Sequence, residues 1–467
     1  MSLERNKRLA KDIAIYSVGI IGSKFLAFLL FPVLTFFAAR EEFGYYDIAL
    51  EVVLFILPLS TLVMRESTFR LLIDSNDETY KKHILSTTLF IEVVVFIIIL
   101  IIASILPFLF TIRYLTLIIL SIYIYSLYEI YIQAVRSVYS STHFVLINLI
   151  TSFFTLTFVF LFYFVLKRGL IEALFVGNIL SRTLGMLIIE LPRRRITGCL
   201  SLSAVTKKYI KEIFNYSLPL LGTAIAFAII TSTGKFVVNY LYGNEYSGIL
   251  GASQKYMVVL LILGTAFYQA WQVTAVKHFK AQGSEKFFSE VFNKYAVTLG
   301  LLVLIISFGL RSFKGLLIGS AYHQSIDLIF VYCISSVFFC LSLFFEVIYQ
   351  CTKQTSKILY SIVSCAAFAP LLTFVLTKYF GLMGNLAALS IAYIYMFIFR
   401  LIQTRSTMMI RLNKSFLFLF SGLLIGGFFF YYTQNKAIDY VILCIAIVLL
   451  CYFLLTSRKY FFKKKET

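Results

Sequence analysis

The sequence predicts an all-α polytopic membrane protein of about fourteen transmembrane helices: two six-helix lobes in parallel repeat, with two C-terminal helices behind them. Three observations predict it. Hydrophobic residues make up 60% of the 467 and charged residues only 14%, more apolar sequence than a soluble domain can bury, and the excess falls in runs near twenty residues long. A basic, polar stretch, Leu191 to Lys211, interrupts these runs near the middle of the chain. Beyond it the opening pattern restarts, since Tyr16-Ser17 followed by Gly22 returns as Tyr216-Ser217 followed by Gly222.

Six apolar segments precede the loop, at about 12–38, 45–72, 84–106, 112–136, 143–166 and 170–191. Six follow it, at about 213–241, 247–276, 288–310, 324–351, 355–377 and 381–402, and two more, at about 415–433 and 437–457, close the chain. The expected organisation is a first lobe over 1–191, a basic cytoplasmic linker over 192–212, a second lobe over 213–405, and the last two helices with a basic tail over 406–467. Lipid gives the backbone no water to bond, so each segment is expected to be helical, with Pro32, Pro58, Pro107, Pro219 and Pro370 as kinks or ends. The charged start, Ser2 to Asp12, leads into a full-length apolar run without a small-residue cleavage site, so no cleavable signal peptide is expected.

Lysine and arginine set the expected orientation. Of the 42, eight lie in one set of alternate loops (Arg40, Arg113, Lys167, Arg168, Arg311, Lys314, Lys378 and Lys436) and five lie inside segments (Lys24, Arg65, Arg182, Lys235 and Lys255). The other 29 lie in the opposite set with the two termini, which places both termini in the cytoplasm. The net charge of +20 reflects this bias, which argues against nucleic-acid binding.

The halves match at further points. Gly44 with Glu51 seven residues on is answered by Gly248 with Lys255, and Glu129-x-x-x-Gln133-x-x-Arg136 by Glu346-x-x-x-Gln350-x-x-Lys353. Each match shifts by six segments, an even number, so the halves share one topology about an axis along the membrane normal. Such a pair makes a cleft between lobes.

Charges inside the membrane are the candidate site residues, because each costs on the order of 3 kcal/mol at the bilayer centre. Lys24, Arg65, Lys235, Lys255 and Arg182 are read as a cationic, substrate-binding set for a pyrophosphate or acidic sugar. Arg65, Arg182 and Lys255 lie near segment ends, where snorkelling to headgroups is the alternative. The buried acids are Glu51, Glu66, Glu92, Glu129, Glu172, Asp327 and Glu346. Glu66, Glu129, Glu346 and Glu51 are the coupling or gating candidates, since a desolvated carboxylate can follow an H+ or Na+ gradient; the alternative for Glu129 and Glu346 is a structural ion pair. Tyr256, Tyr268, Gln269 and Gln272 are weaker candidates for sugar contacts. The seven cysteines have no metal-ligand spacing, the four histidines show no catalytic arrangement, and no phosphate-binding glycine loop occurs. No metal, organic cofactor or enzymatic activity is expected.

Three stretches carry a family resemblance: NKRLAKDIAIYSVGIIGSKFLAFLLFPVLTFFAAREEFGYY at the start, VMRESTFRLL ending the second segment, and STGKFVVNYLYGNEYSGILGASQKY across segments seven and eight. Over residues 6 to 405 the chain resembles the polysaccharide-exporting branch of the MOP (multidrug/oligosaccharidyl-lipid/polysaccharide) superfamily, and within it the Wzx-like O-antigen flippases. The resemblance implies alternating-access translocation of an undecaprenyl-pyrophosphate-linked oligosaccharide, an O-antigen or capsule repeat unit, between the leaflets of the bacterial inner membrane. It implies membrane lipid and polysaccharide polymerase machinery as partners, and nothing requires more than one chain. Arg70 matches a basic residue common at the cytoplasmic end of the second segment. Where many relatives have an acidic-basic pair before Phe, this chain has Gly234-Lys235-Phe236, so only the basic member carries over. A drug/cation antiporter of the same superfamily and a membrane-embedded polysaccharide-assembly enzyme are the alternatives; the five cations argue for an anionic cargo.

Overall fold

The computed structural model describes residue 19 and residues 22–462, apart from 27, 74, 76, 110, 353, 355 and 434. The opening residues of the first segment, 12–18, therefore lie outside the described residues. The helices are α1 (Gly22–Phe37), α2 (Arg40–Thr61), α3 (Met64–Ile73), α4 (Glu78–Leu109), α5 (Leu115–Val138), α6 (Ser141–Phe160), α7 (Leu170–Glu190) and α8 (Lys207–His278). They continue as α9 (Ser284–Ser312), the single turn α10 (Lys314–Leu317), α11 (Ser325–Cys351), α12 (Ser356–Thr404), α13 (Lys414–Tyr432) and α14 (Lys436–Phe462).

Ten helices are long and apolar enough to cross a membrane, and α1 and the Phe420–Tyr432 part of α13 are shorter apolar helices. Two of the ten, α8 with 72 residues and α12 with 49, each bend at one glycine and hold two crossings. Among the described residues this gives fourteen apolar crossings, and the all-α polytopic fold class is borne out. The lipid-facing surface reads directly from α4, whose most apolar window has a mean hydropathy of 3.3. Ile98, Ile101, Ile102 and Ile105 on it are more than half exposed, as only hydrocarbon would favour.

The sharp breaks within α8 and α12 fall at glycines, while Pro58, Pro107, Pro219 and Pro370 all lie inside helices. Gly381 has φ 60° and ψ −145°, a conformation closed to residues with a Cβ. There α12 folds back on itself: Cys365 Sγ reaches Ala392 O at 3.4 Å, and Arg400 Nε reaches Ser361 Oγ at 3.0 Å. Gly243 breaks α8 with φ 79°, and Asn239 Nδ2 donates to Asn244 Oδ1 across the break at 2.7 Å.

The chain divides into two compact units. The first comprises Met1–Phe31 and Glu41–Ser232; the second comprises Pro32–Arg40 and Thr233–Thr467. This differs from the lobe boundaries expected at 191 and 213. Hydrogen bonds explain the difference. Ser232 Oγ donates to Glu51 Oε1 at 2.5 Å, which holds the first part of α8 in the first unit. In the second unit Gly319 N donates to Thr35 Oγ1 at 3.0 Å, Tyr322 OH donates to Ala38 O at 3.1 Å, and a Cβ on Gly319 would overlap the Thr35 carbonyl.

The first unit is packed around α3, α4, α5, α6 and α7, with Met64, Ile84, Val135 and Ile147 fully buried. The second has an aromatic core: Trp271 stacks on Phe344 at 4.6 Å, and Phe292 lies 5.2 Å from Phe344 and 5.3 Å from Phe345. In the same unit α13 and α14 are fixed to α9 by Arg311, whose Nε donates to Asp439 Oδ2 at 2.8 Å while its other nitrogens reach Asp439 Oδ1 and Phe430 O. The two side chains are 13% and 4% exposed. Removing one partner strands a buried charge, a loss on the order of 3 kcal/mol. Asp439→Ala is expected to lower the melting temperature of the purified protein and to loosen α14, read as faster amide exchange across Lys436–Phe462.

Candidate functional site

In the first unit the site begins with a broken helix. Pro58 supplies no backbone donor, and the hydroxyls of Ser60 and Thr61 bond Leu57 O at 3.1 and 2.8 Å, so the helical ladder ends there. Leu62 and Val63 then take left-handed φ values of 45° and 54°. That conformation is costly for a β-branched residue, by about 1–3 kcal/mol. Burial of Val63 at 5% and Met64 at 0% holds the break in place.

The break puts Arg65 at the start of α3, where its Nη1 meets Glu129 Oε2 of α5 at 3.0 Å and its Nε meets Glu66 Oε1 at 3.3 Å. Three of the sequence candidates are thus one cluster, a cation between two carboxylates. Arg65 is 41% exposed, Glu66 44% and Glu129 31%, so the cluster faces open space and its cation can exchange partners. Arg136 of α5 lies over the Phe69 ring at 4.1 Å, which packs α3 on α5.

Arg182 is held elsewhere in the same unit. Its Nη1 donates to Asn178 Oδ1 at 2.8 Å and its guanidinium lies 3.7 Å from the Tyr125 ring centroid. Asn178 donates in turn to Tyr46 OH at 3.2 Å. Lys24 on α1 is exposed, and Glu51 is buried with Ser232 on one oxygen.

In the second unit Glu346 of α11 is paired with a residue near the end of the twelfth segment that was not among the candidates. Arg400 is 1% exposed inside α12; its Nη1 reaches Glu346 Oε2 at 3.0 Å and Ser342 O at 3.1 Å. Glu346 Oε1 accepts from Tyr268 OH at 3.0 Å, and Gln350 Nε2 donates to that hydroxyl at 2.9 Å while its Oε1 accepts from Gln272 Nε2 at 2.7 Å. Tyr268 and Gln272 are therefore bound into this network, and Gln269 is exposed. Tyr256 is buried and donates to Leu317 O at 2.7 Å. Lys235 is buried at 5%, and Lys255 is half-buried. The glycine beside Lys235 is there for close approach: Asn385 Nδ2 reaches Gly234 O at 2.9 Å, and a Cβ on Gly234 would come within 2.8 Å of Asn385 Oδ1.

The matched motifs have diverged in use. Glu129 takes its arginine from α3 and Glu346 from α12; Gln350 is bonded, whereas Gln133 Oε1 is buried without a hydrogen bond, and Lys353 lies outside the described residues.

One structural acid went unnoticed in the sequence. Glu190, the last residue of α7, accepts from Ile196 N, Thr197 N and Thr197 Oγ1 on Oε1 (2.9, 2.7 and 3.0 Å) and from Tyr131 and Tyr139 OH on Oε2 (3.1 and 3.0 Å). It shapes the loop that joins the two halves, and its only sequence signal is an acid at the last turn of a segment, where the helix dipole disfavours one.

The model of the family described as polysaccharide biosynthesis protein matches residues 9–271, more than half of the chain. The chain belongs to that family. Among solved structures, the lipid II flippase MurJ in an inward closed conformation is 16% identical, covers 97% of this chain and 99% of its own, and superposes with a TM-score of 0.75. The MATE multidrug transporter DinF-BH is 17% identical over 88% of this chain and 96% of its own, with a TM-score of 0.61. An inward-facing MATE transporter of the MOP superfamily gives 11% identity, 91% and 96% coverage, and a TM-score of 0.60. At these identities the likeness is one of fold, and with the family match it bears out the MOP-superfamily resemblance. No curated protein sequence matched.

Exposure separates the two ion pairs. Arg400→Ala strands Glu346 in a dry site and is expected to destabilise the protein by about 3–5 kcal/mol. The half-exposed Arg65 pairs are worth below about 1 kcal/mol, so Arg65→Ala is expected to leave the fold intact. Thermal unfolding of the two purified variants checks the difference.

Proposed function

We propose that the protein is a flippase that moves an undecaprenyl-pyrophosphate-linked oligosaccharide, an O-antigen or capsule repeat unit, from the cytoplasmic to the outer leaflet of a bacterial inner membrane. The observation that carries the reading is the conjunction of a polysaccharide-biosynthesis family with a fold that matches a lipid II flippase over 97% of the chain. Both termini are cytoplasmic in this reading, one chain suffices, and a polysaccharide polymerase takes over the delivered unit. Lys24, Arg65, Arg182, Lys235 and Lys255 neutralise the pyrophosphate during passage, because a doubly charged headgroup in hydrocarbon needs cationic partners. Exposure supports Lys24 and Arg65 as the first to meet it. A pyrophosphate that displaces Glu66 and Glu129 from Arg65 exchanges one set of charged oxygens for another, which makes these acids gates, and Glu51 and Glu346 hold their helices in the closed arrangement.

A MATE-type drug/cation antiporter is the second reading, supported by the fold of the MATE structures. Deletion of the gene distinguishes them. Loss of surface polysaccharide with completed repeat units held on the carrier, facing the cytoplasm, is the expected result. Incomplete units, or completed units left unpolymerised in the outer leaflet, would instead point to an assembly enzyme, and no change in either pool to the antiporter. Lys24→Ala and Lys235→Ala are expected to fail to complement the deletion at wild-type expression; full complementation by both would remove the cationic-site account.

A further inference from the structure

We propose that Glu92 is a proton-binding site through which transport is driven, an inference that rests on the flippase reading for its coupling and on the structure for the site itself. Glu92 lies on α4, the most apolar of the spans, yet it is turned inward at 1% exposure. Ser126 of α5 donates to its Oε1. Its Oε2 is buried without a hydrogen-bond partner among the described residues. Of the groups packed around it, Tyr123 of α5 is the titratable one; Thr88, one turn back on α4, is engaged with Thr68 of α3 at 3.3 Å. No lysine, arginine or histidine pairs with Glu92 among the described residues.

Five other acids of the membrane helices are provided for differently. Glu66 and Glu129 have Arg65, Glu346 has Arg400, Asp439 has Arg311, and Glu190 has five donors. A carboxylate at Glu92 would leave a charged oxygen with nothing to bond, whereas the neutral acid leaves at most one donor unmet, a much smaller cost. The closed α4–α5 contact therefore accommodates the protonated acid. Loss of the proton favours whichever arrangement admits water to Oε2, and this difference links proton binding to conformation.

A cavity lies one helical turn from the site. It has a volume of about 190 Å³ and runs from Ile196 and Thr197 of the central loop, past Glu190 and Tyr131, to Thr88. Thr88 and Glu92 are four residues apart on one face, about 6 Å along the helix.

The test uses the full-length protein in two readouts. Infrared titration of the purified protein is expected to show a protonated-carboxyl band that disappears in Glu92→Gln. Reconstituted vesicles with an imposed pH gradient then report the leaflet distribution of an undecaprenyl-pyrophosphate oligosaccharide. One coupled proton links one pH unit to a factor of about ten in that distribution, and Glu92→Gln is expected to reduce the response to below about twofold. A band unchanged in Glu92→Gln overturns the site, and a wild-type gradient response in that variant overturns the coupling. If Glu92→Gln does not fold, Ser126→Ala is expected to move the midpoint of the band, and an unmoved midpoint overturns the site. A band assigned to Glu92 in a protein that moves no lipid-linked saccharide would uphold the site and overturn the flippase reading.

Discussion

The structure depends on the cost of bringing charge and polar backbone into hydrocarbon. Every ionised group that the chain places in a span has to be matched, and the matches divide by exposure. Arg400 with Glu346 and Arg311 with Asp439 are dry and multiply bonded, so they hold helices together. Arg65 with Glu66 and Glu129 is open on more than 30% of each side chain, a pairing too weak to stabilise the fold and well suited to exchange. Geometry thus sorts charges of the same type into closed pairs and open ones.

Backbone constraints set where the charges stand. Arg65 owes its position to a helix that stops after Pro58 and turns through two left-handed residues held by burial, a strained junction of the kind that sites use. The single-glycine turn at Gly381 brings α12 back on itself and lets Arg400 face Ser361 and Glu346. Glu190 serves the central loop by gathering its amides, which turns a basic, polar connection into an ordered one.

Much of this was legible in the sequence, because hydrocarbon imposes its demands residue by residue. Apolar runs of membrane length and the restart of the pattern at Tyr216 led to the fourteen segments, and the resemblance of three particular stretches led to the superfamily. What could not be read were partners. Nothing local links Arg65 to Glu129, 64 residues away, or distinguishes Glu346, which has an arginine, from Glu92, which does not. Arg400 lies near the end of the twelfth segment, and nothing local marks it as the partner of Glu346. Proline was expected to mark the bends, but a proline inside an apolar helix removes one hydrogen bond, whereas a full reversal needs positive φ, which glycine provides.

The account's central claim is that accessible cations, Arg65 first, carry the anionic headgroup of a lipid-linked saccharide through the protein. The most direct measurement is the translocation of an undecaprenyl-pyrophosphate oligosaccharide in vesicles containing only the purified protein, compared between wild type and a folded Arg65→Ala variant. The account predicts translocation by the wild type and a loss of at least about tenfold in the variant, the worth of one charge-assisted phosphate contact. Equal rates in the two proteins would contradict it.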